Sequence, residues 1–267
     1  AYPAATRYRY DLAPSGGAYK DSRGLSTEFP GRVISTPISE QGMIALANGI
    51  ALAGGKAIVE VMFGDFLALA FDQLLNFAAK VVSLSGRPQP HRLVVRCPIG
   101  GHRGYGATHS QSPQKHFIGI PDLDLYELSP FHDAGAAMRR MLASGRPCLF
   151  FESKTLYARR RYLDDTLAEL FRWDASEADD WARIRLHDQE RADVLILTTG
   201  SCVHQCLGAA RRLFLEREIV VEIRVPSKIK GISHSSPNPS LISFSPHDPS
   251  RPVWPIDVAP RCAGPFG

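Results

Sequence analysis

No apolar run in this chain reaches the roughly 20 residues that a membrane-spanning helix needs. The longest, around Met43–Ala53 and Phe66–Phe71, stop well short. Cysteine is scarce. The five are Cys97, Cys148, Cys202, Cys206 and Cys262, an odd number scattered through apolar stretches. That argues against a disulfide framework and for a reducing compartment. Cys202-x-His204-x-Cys206 has the look of half a metal site, but no second ligand pair follows. Its place at the start of a helical stretch predicts a buried structural role instead. Strong charge is absent too: the net charge is +4. The one compact basic run, Arg159-Arg160-Arg161, lies between Tyr157 and Tyr162 and reads as a solvated or partner-facing loop. A nucleic-acid site needs a broader basic stripe. No secretory signal pattern opens the sequence.

What is present is the make-up of a globular α/β protein of one large or two ordinary domains: 267 residues, 44% hydrophobic and 22% charged. From Arg32 onward, short apolar strands alternate with helices. The pattern predicts strands at Arg32–Ser35, Ala57–Met62, Arg92–Arg96, Leu123–Leu128 and Pro147–Glu152. It predicts helices at Glu40–Ala53, Phe66–Leu84 and Asp133–Ala143. Continuous apolar strands separated by helices imply a parallel sheet covered on both faces. Ala45, Gly49 and Ala53 form a small-residue ridge, suited to close helix packing inside the domain or at a subunit interface. Residues 155–188 read as a charged linker with a short helix near Asp165–Arg172. A second α/β stretch follows: strand Ala192–Thr198, helix Val203–Leu215, strand Ile219–Arg224. Residues 1–184 and 185–267 are the expected domains. Nine of the 20 prolines lie between Pro226 and Pro265, which opposes helix and central strand there.

Three groups can carry chemistry. Ile38-Ser39-Glu40 sets a carboxylate at a strand-to-helix junction, where the helix dipole favours negative charge and capping alone would also explain it. Phe63-Gly64-Asp65-Phe66 puts an aromatic ring on a post-strand loop, where ligands of parallel sheets bind. The loop Arg96–Gln111 holds four glycines, His102 and His109, and Arg96 and Arg103. It has neither the G-x-G-x-x-G spacing of a dinucleotide fold nor the Gly-Lys-Ser/Thr of a P-loop. Glycine lets backbone approach a ligand, and imidazole titrates near neutral pH.

In order, the chain carries Pro37-Ile38-Ser39-Glu40-Gln41-Gly42, Phe63-Gly64-Asp65-Phe66, Ala70-Phe71-Asp72-Gln73, Ala78-Ala79-Lys80, Arg96-x-Pro98-x-Gly100 and Thr108-His109-Ser110-Gln111-Ser112. Gly17-Ala18-Tyr19-Lys20, Ser22-Arg23-Gly24-Leu25 and Pro147–Lys154 complete the set. This series resembles the beta subunit of the E1 component of 2-oxoacid dehydrogenase complexes, closely over residues 16–158 and weakly over 190–226. Pyruvate and branched-chain 2-oxoacid dehydrogenases are the best-known members.

The resemblance implies a transketolase-like pyrimidine-binding domain followed by a transketolase C-terminal-like domain, and thiamine diphosphate as cofactor. Glu40 matches the glutamate that hydrogen-bonds the pyrimidine N1′ and favours the tautomer able to remove the thiazolium C2 proton. Phe66 matches the aromatic residue packed on the aminopyrimidine, and Ile38 an apolar wall of the same pocket. His109 matches a histidine near the reacting centre, suited to proton transfer or to reductive acylation of a lipoyl arm. His102 and Arg103 either shape the acid-binding pocket or sit in a solvated loop.

No Gly-Asp-Gly occurs in the sequence. An alpha partner, in an α2β2 heterotetramer, is therefore expected to hold Mg²⁺ and the diphosphate, with no metal ligands on this chain. Leu142–Arg146 corresponds to a stretch whose carbonyls hold structural K⁺ in some relatives. A lipoyl-bearing E2 acyltransferase is the implied second partner. The implied compartment is the cytoplasm, or the mitochondrial matrix in a eukaryote. The family pattern departs at both ends. Ala1–Ser15 shows neither the usual amphipathic helix nor a first strand, and the C-terminal domain gives way near Ile232 to Ser/Pro-rich sequence. Two alternatives follow: another thiamine diphosphate enzyme, such as an acetoin dehydrogenase or a transketolase-like protein, or a non-catalytic interaction subunit.

Overall fold

The computed structural model describes residues 6–9, 19, 22–84, 86, 89–163, 166–167, 170–176 and 181–230. The Gly17–Lys20 motif, apart from Tyr19, lies outside these residues, as do Cys262 and the Ser/Pro-rich sequence beyond 230.

Six parallel strands form the first sheet: β1 (Thr6–Arg9), β2 (Val33–Ser35), β3 (Ala57–Glu60), β4 (Leu93–Ile99), β5 (Asp124–Glu127) and β6 (Cys148–Ser153). Their order is β2-β1-β3-β4-β6-β5. β1 was not legible in the sequence. Thr-Arg-Tyr-Arg carries no apolar alternation, yet it pairs in register with both β2 and β3. Because all six strands run the same way, every loop that leaves a carboxyl end opens on one edge.

Successive residues of a strand face opposite ways, and both faces are apolar. Val59, Val95, Leu125, Leu149 and Phe151 pack under α2 (Glu40–Leu52) with Met43, Ile44, Ala47 and Ala51. Ile58, Val94, Tyr126, Cys148 and Phe150 pack under α5 (Ala134–Ala143) with Ala137, Met141 and Leu142. Two shorter helices, α1 (Leu25–Glu28) and α4 (Gln114–Phe117), lie in connections.

The helix expected over Phe66–Leu84 is broken into three. A 3-10 segment spans Gly64–Ala70, a π-helical segment spans Gln73–Ala78, and one α-turn, α3, spans Val81–Leu84. The cause is a buried polar insertion. Asn48 of α2 donates its amide to the Gln73 carbonyl at 3.1 Å, and its other end meets His91 at 2.8 Å. A carbonyl engaged from the side favours the wider helical ring.

The second sheet has five strands in the order β10-β11-β9-β8-β7. They are β7 (Thr166–Leu167), β8 (Phe171–Ser176), β9 (Trp181–Leu186), β10 (Val194–Leu197) and β11 (Val221–Pro226). Where a short helix is expected at Asp165–Arg172, the described residues Thr166–Leu167 and Phe171–Arg172 are strand, and the stretch read as a linker contributes three strands to this sheet. The division expected at 184/185 falls within β9, a strand of the second sheet. The break between the two sheets lies after Ser153 and before Thr166. Helix α6 (Val203–Arg217) covers Ile184, Val221, Ile223 and Val225 of this sheet.

The two sheets meet at β5. Glu127, fully buried, accepts Gln114 Nε2 at 2.8 Å and the Ser201 backbone N–H at 3.0 Å. Gly200 must be glycine, since a Cβ there would overlap the Leu128 carbonyl oxygen. Among the described residues, no helix is long and apolar enough to cross a membrane.

Candidate active site at the carboxyl edge of the parallel sheet

Ser39 closes the loop after β2 by N-capping α2, its hydroxyl accepting the Gly42 N–H at 3.1 Å. The cap fixes Glu40 as the first helical residue. The residue as a whole is 5% exposed, and its carboxylate has no hydrogen-bond or ion-pair partner among the described residues. The helix N-terminus stabilises a negative charge there by about 0.3–1 kcal/mol. The 3-10 segment that follows β3 packs against α2 and carries Phe66. Gly64 lets this segment lie on the end of β4: a Cβ would stand 2.7 Å from the Ile99 side chain and 3.3 Å from the Pro98 carbonyl.

β4 feeds the glycine-rich loop. Gly100 N–H donates to the Gln111 carbonyl at 2.9 Å and closes it. Asp65 grips the same base, its Oδ1 accepting Gln111 N–H at 3.3 Å and Gln111 Nε2 at 2.8 Å. Its Oδ2 is buried without a partner. The loop brings His109 edge-on to Phe63 at 4.8 Å and to Phe66 at 5.2 Å between ring centroids. Thr108 Oγ1 meets His109 Nδ1 at 2.9 Å, which leaves Nε2 facing outward from that pair. From β6 comes Lys154, with no exposed surface. Its ammonium donates to the His109 carbonyl and lies 5.0 Å from the Phe63 ring and 5.3 Å from the Tyr105 ring. Burial pushes the Lys154 ammonium below its ordinary range, and the charge of Asp65 opposes that.

The fold therefore gathers Phe66 and His109 into one aromatic cluster and sets Glu40 on the helix beside it. Ile38 is not in that cluster; it is 77% exposed in the loop before α2. His102 and Arg103 are exposed, and His102 adopts a left-handed backbone (φ 63°). Lys154, Phe63, Tyr105 and Asp65 were not singled out as site residues. A lysine directly after the apolar β6 run was the available signal, since a long cation at a parallel strand's carboxyl end must reach either solvent or the site.

Other expectations fall elsewhere. Cys202 is exposed at the N-cap of α6, not buried, because it precedes the first packed residue, Val203; Cys206 is half-buried against the second core. Burial pushes the Cys148 thiol up to about 12 and Cys97 well above its usual range. Around Leu142–Arg146 the carbonyls already accept bonds: Met141 from Ser144 Oγ at 2.8 Å, Gly145 from the His91 N–H at 2.7 Å. Among the described residues, no group of three His, Cys, Asp or Glu side chains is placed to hold a metal.

Residues 8–160 match the transketolase pyrimidine-binding domain. Among characterised proteins, the chain is 33% identical over 148 residues to the pyruvate dehydrogenase E1 component subunit beta of Leifsonia xyli, covering 55% of this chain and 44% of that protein. It is 32% identical over 204 residues to the 2-oxoisovalerate dehydrogenase subunit beta of Bacillus subtilis, covering 76% and 60%. Against the acetoin:2,6-dichlorophenolindophenol oxidoreductase subunit beta of Bacillus subtilis it is 30% identical over 261 residues, covering 97% and 72%. The chain thus spans only 44% and 60% of the length of the first two relatives. The transketolase of Campylobacter jejuni superposes with a TM-score of 0.61 at 17% identity, over 85% of this chain and 33% of that one, a likeness of fold.

Proposed function

Because the chain belongs to the transketolase pyrimidine-binding domain family, we propose that it supplies the pyrimidine side of a thiamine diphosphate site, as the beta subunit of a 2-oxoacid dehydrogenase E1 component. The observation that carries this reading is Glu40, 5% exposed and without a hydrogen-bond or ion-pair partner among the described residues, on the helix beside the Phe66–His109 cluster. A carboxylate largely withdrawn from water, with no side chain to pair it, is open to a ligand that can share a proton with it. An aminopyrimidine, with one ring nitrogen to meet an acid and one flat face to meet an aromatic ring, fits that donor set.

When bound, thiamine diphosphate supplies the carbon nucleophile and the electron sink for decarboxylation. Glu40 holds a proton between its carboxylate and the ring nitrogen. Phe66 orients the ring by packing against it. His109, engaged by Thr108 at Nδ1, is left with Nε2 to move a proton to or from the substrate. Mg²⁺ and the diphosphate fall to an alpha chain in an α2β2 assembly, and the acyl group passes to a lipoyl arm of an E2 acyltransferase. Ile38, exposed here, becomes a pocket wall in that assembly. Residues 8–160 form the cofactor-facing domain, and the second sheet is the C-terminal-like domain. The K⁺ at Leu142–Arg146 would use the second lone pairs of carbonyls already bonded.

The test is reconstitution with an alpha chain that carries Gly-Asp-Gly, followed by calorimetry with thiamine diphosphate and Mg²⁺ and by turnover of pyruvate and 2-oxoisovalerate. Glu40→Gln is expected to lower turnover by about 100-fold or more with the melting temperature unchanged. Near-normal turnover of that variant would remove Glu40 from the mechanism. The match to the acetoin oxidoreductase subunit over 97% of the chain favours a second reading, acetoin oxidation. Acetoin with dichlorophenolindophenol as acceptor, run in the same substrate panel, decides between them. A folded chain that takes up no cofactor beside its alpha partner would instead be a non-catalytic interaction subunit.

A further inference from the structure

The loop that carries His109 cannot hold its own shape. Gly100, Gly101, Gly104 and Gly106 fall within it, and Gly100, His102, Gly104 and Gly106 have positive φ. Glycine loses more conformational freedom on ordering than any other residue. Most of the loop is exposed, so little burial offsets that loss. Its order has to come from outside, and two pins are present. Asp65 takes the base through Gln111. The far end, at His109, is reached from β6 by Lys154 alone among the described side chains that hydrogen-bond to the His109 backbone.

We infer that Lys154 is a positioning residue for His109: its buried ammonium, bonded to the His109 carbonyl and walled by Phe63 and Tyr105, fixes the imidazole against Phe66. The lysine backbone is itself anchored, its N–H donating to the Ile99 carbonyl at 3.0 Å. The side chain thus starts at the ends of β4 and β6, two adjacent central strands. Full burial separates this role from anion binding, since no surface of Lys154 is open to a ligand. Phe63 contacts the ammonium, the Tyr105 ring and the His109 ring together, so the four groups form one unit. The catalytic consequence of the inference rests on His109 acting as proposed above; the positioning itself does not.

Hydrogen exchange of residues 100–111 and the His109 ring resonance, assigned with a His109→Gln variant, read the positioning in the full chain without a partner. Lys154→Met keeps the stem and removes the charge. Its loop amides are expected to exchange at least tenfold faster, with the His109 signal moved toward that of exposed His102. Lys154→Arg, which retains a donor, should recover part of both. A folded Lys154→Met chain with wild-type loop protection and ring signal overturns the inference. Should Lys154→Met fail to fold, Tyr105→Leu carries the test: it removes one wall of the ammonium site, and unchanged loop protection there overturns the inference equally. In the reconstituted enzyme, Lys154→Met should lower kcat with KM held, as His109→Gln should. A loosened loop with undiminished kcat would leave the positioning standing and strike His109 from the reaction.

Discussion

Glu40 and Glu222 are almost equally buried, 5% and 6% exposed, and could hardly be treated more differently. Glu222 lies on the outer face of the second sheet, where Arg183 and Arg224 each bond it at 2.6 Å. A neighbouring pair, Arg185 and Asp174 at 2.8 Å, extends the ladder. Glu40, at the edge of the parallel sheet, has no such partner. The architecture accounts for the difference. The parallel sheet is apolar on both faces, so its polar groups collect where the strands end. The second sheet packs its core under α6, while its other face carries exposed Leu195 and Leu197 and pairs its charges among themselves. The charge of Glu222 is satisfied within the chain; that of Glu40 is left open among the described residues.

The largest effect that would test this contrast is in the packing. Phe151, fully buried in the parallel sheet, should cost about 3–5 kcal/mol on replacement by alanine. Leu197, 57% exposed on the second sheet, should change stability by no more than about 0.5 kcal/mol on the same replacement. Urea unfolding of the two variants measures both. Comparable losses would mean that the second sheet's outer face is covered and that the contrast is false.

A sharper version compares the two glutamates directly. Glu222→Ala strands two guanidinium groups and should cost about 1–3 kcal/mol. Glu40→Ala breaks no side-chain bond among the described residues. It loses only the helix-dipole term and sheds an unpaired buried charge, so its net effect should stay within about 1 kcal/mol. If Glu40→Ala destabilised as much as Glu222→Ala, Glu40 would have a structural partner and the site assignment would lose its main support.

What the sequence disclosed follows the same divide. The strands of the parallel sheet were legible because runs such as Leu93-Val94-Val95 are apolar on both faces. β9 was not: Trp-Ala-Arg-Ile-Arg-Leu alternates arginine outward and apolar residues inward, which looks like charged linker until Glu222 and Asp174 are seen opposite. Glu40, Phe66 and His109 stand in short motifs that the sequence displays, and the fold brings Phe66 and His109 ring to ring. Lys154 also stands in such a motif, at the end of an apolar strand, but its contacts depend on where the Phe63, Tyr105 and His109 rings converge, which the local sequence does not record. The break in the Phe66–Leu84 helix was hidden for a related reason: its cause, Asn48, lies on another element.

The smallest effect, and the most selective, is the pH dependence of stability. His132 lies beside α5; burial, and next the charge of Arg140, lower its pKa from 6.5 to about 4. Between those values the unfolded chain binds the proton and the folded one does not, so stability falls as pH drops from 6.5 towards 4. Glu222 acts in a lower window. Burial alone would raise its pKa, but the hydrogen bonds from Arg183 and Arg224 outweigh that and hold it below the ordinary 4.5. Its contribution is complete above 4.5 and is lost as pH falls through the depressed value. Urea midpoints from pH 7 to pH 3 should therefore decline in two stages. His132→Gln should flatten the upper stage and spare the lower, and Glu222→Gln should do the reverse. A single decline untouched by Glu222→Gln would mean that the ladder is not closed in solution, and the paired glutamate could then no longer serve as the counterexample that makes Glu40 stand out.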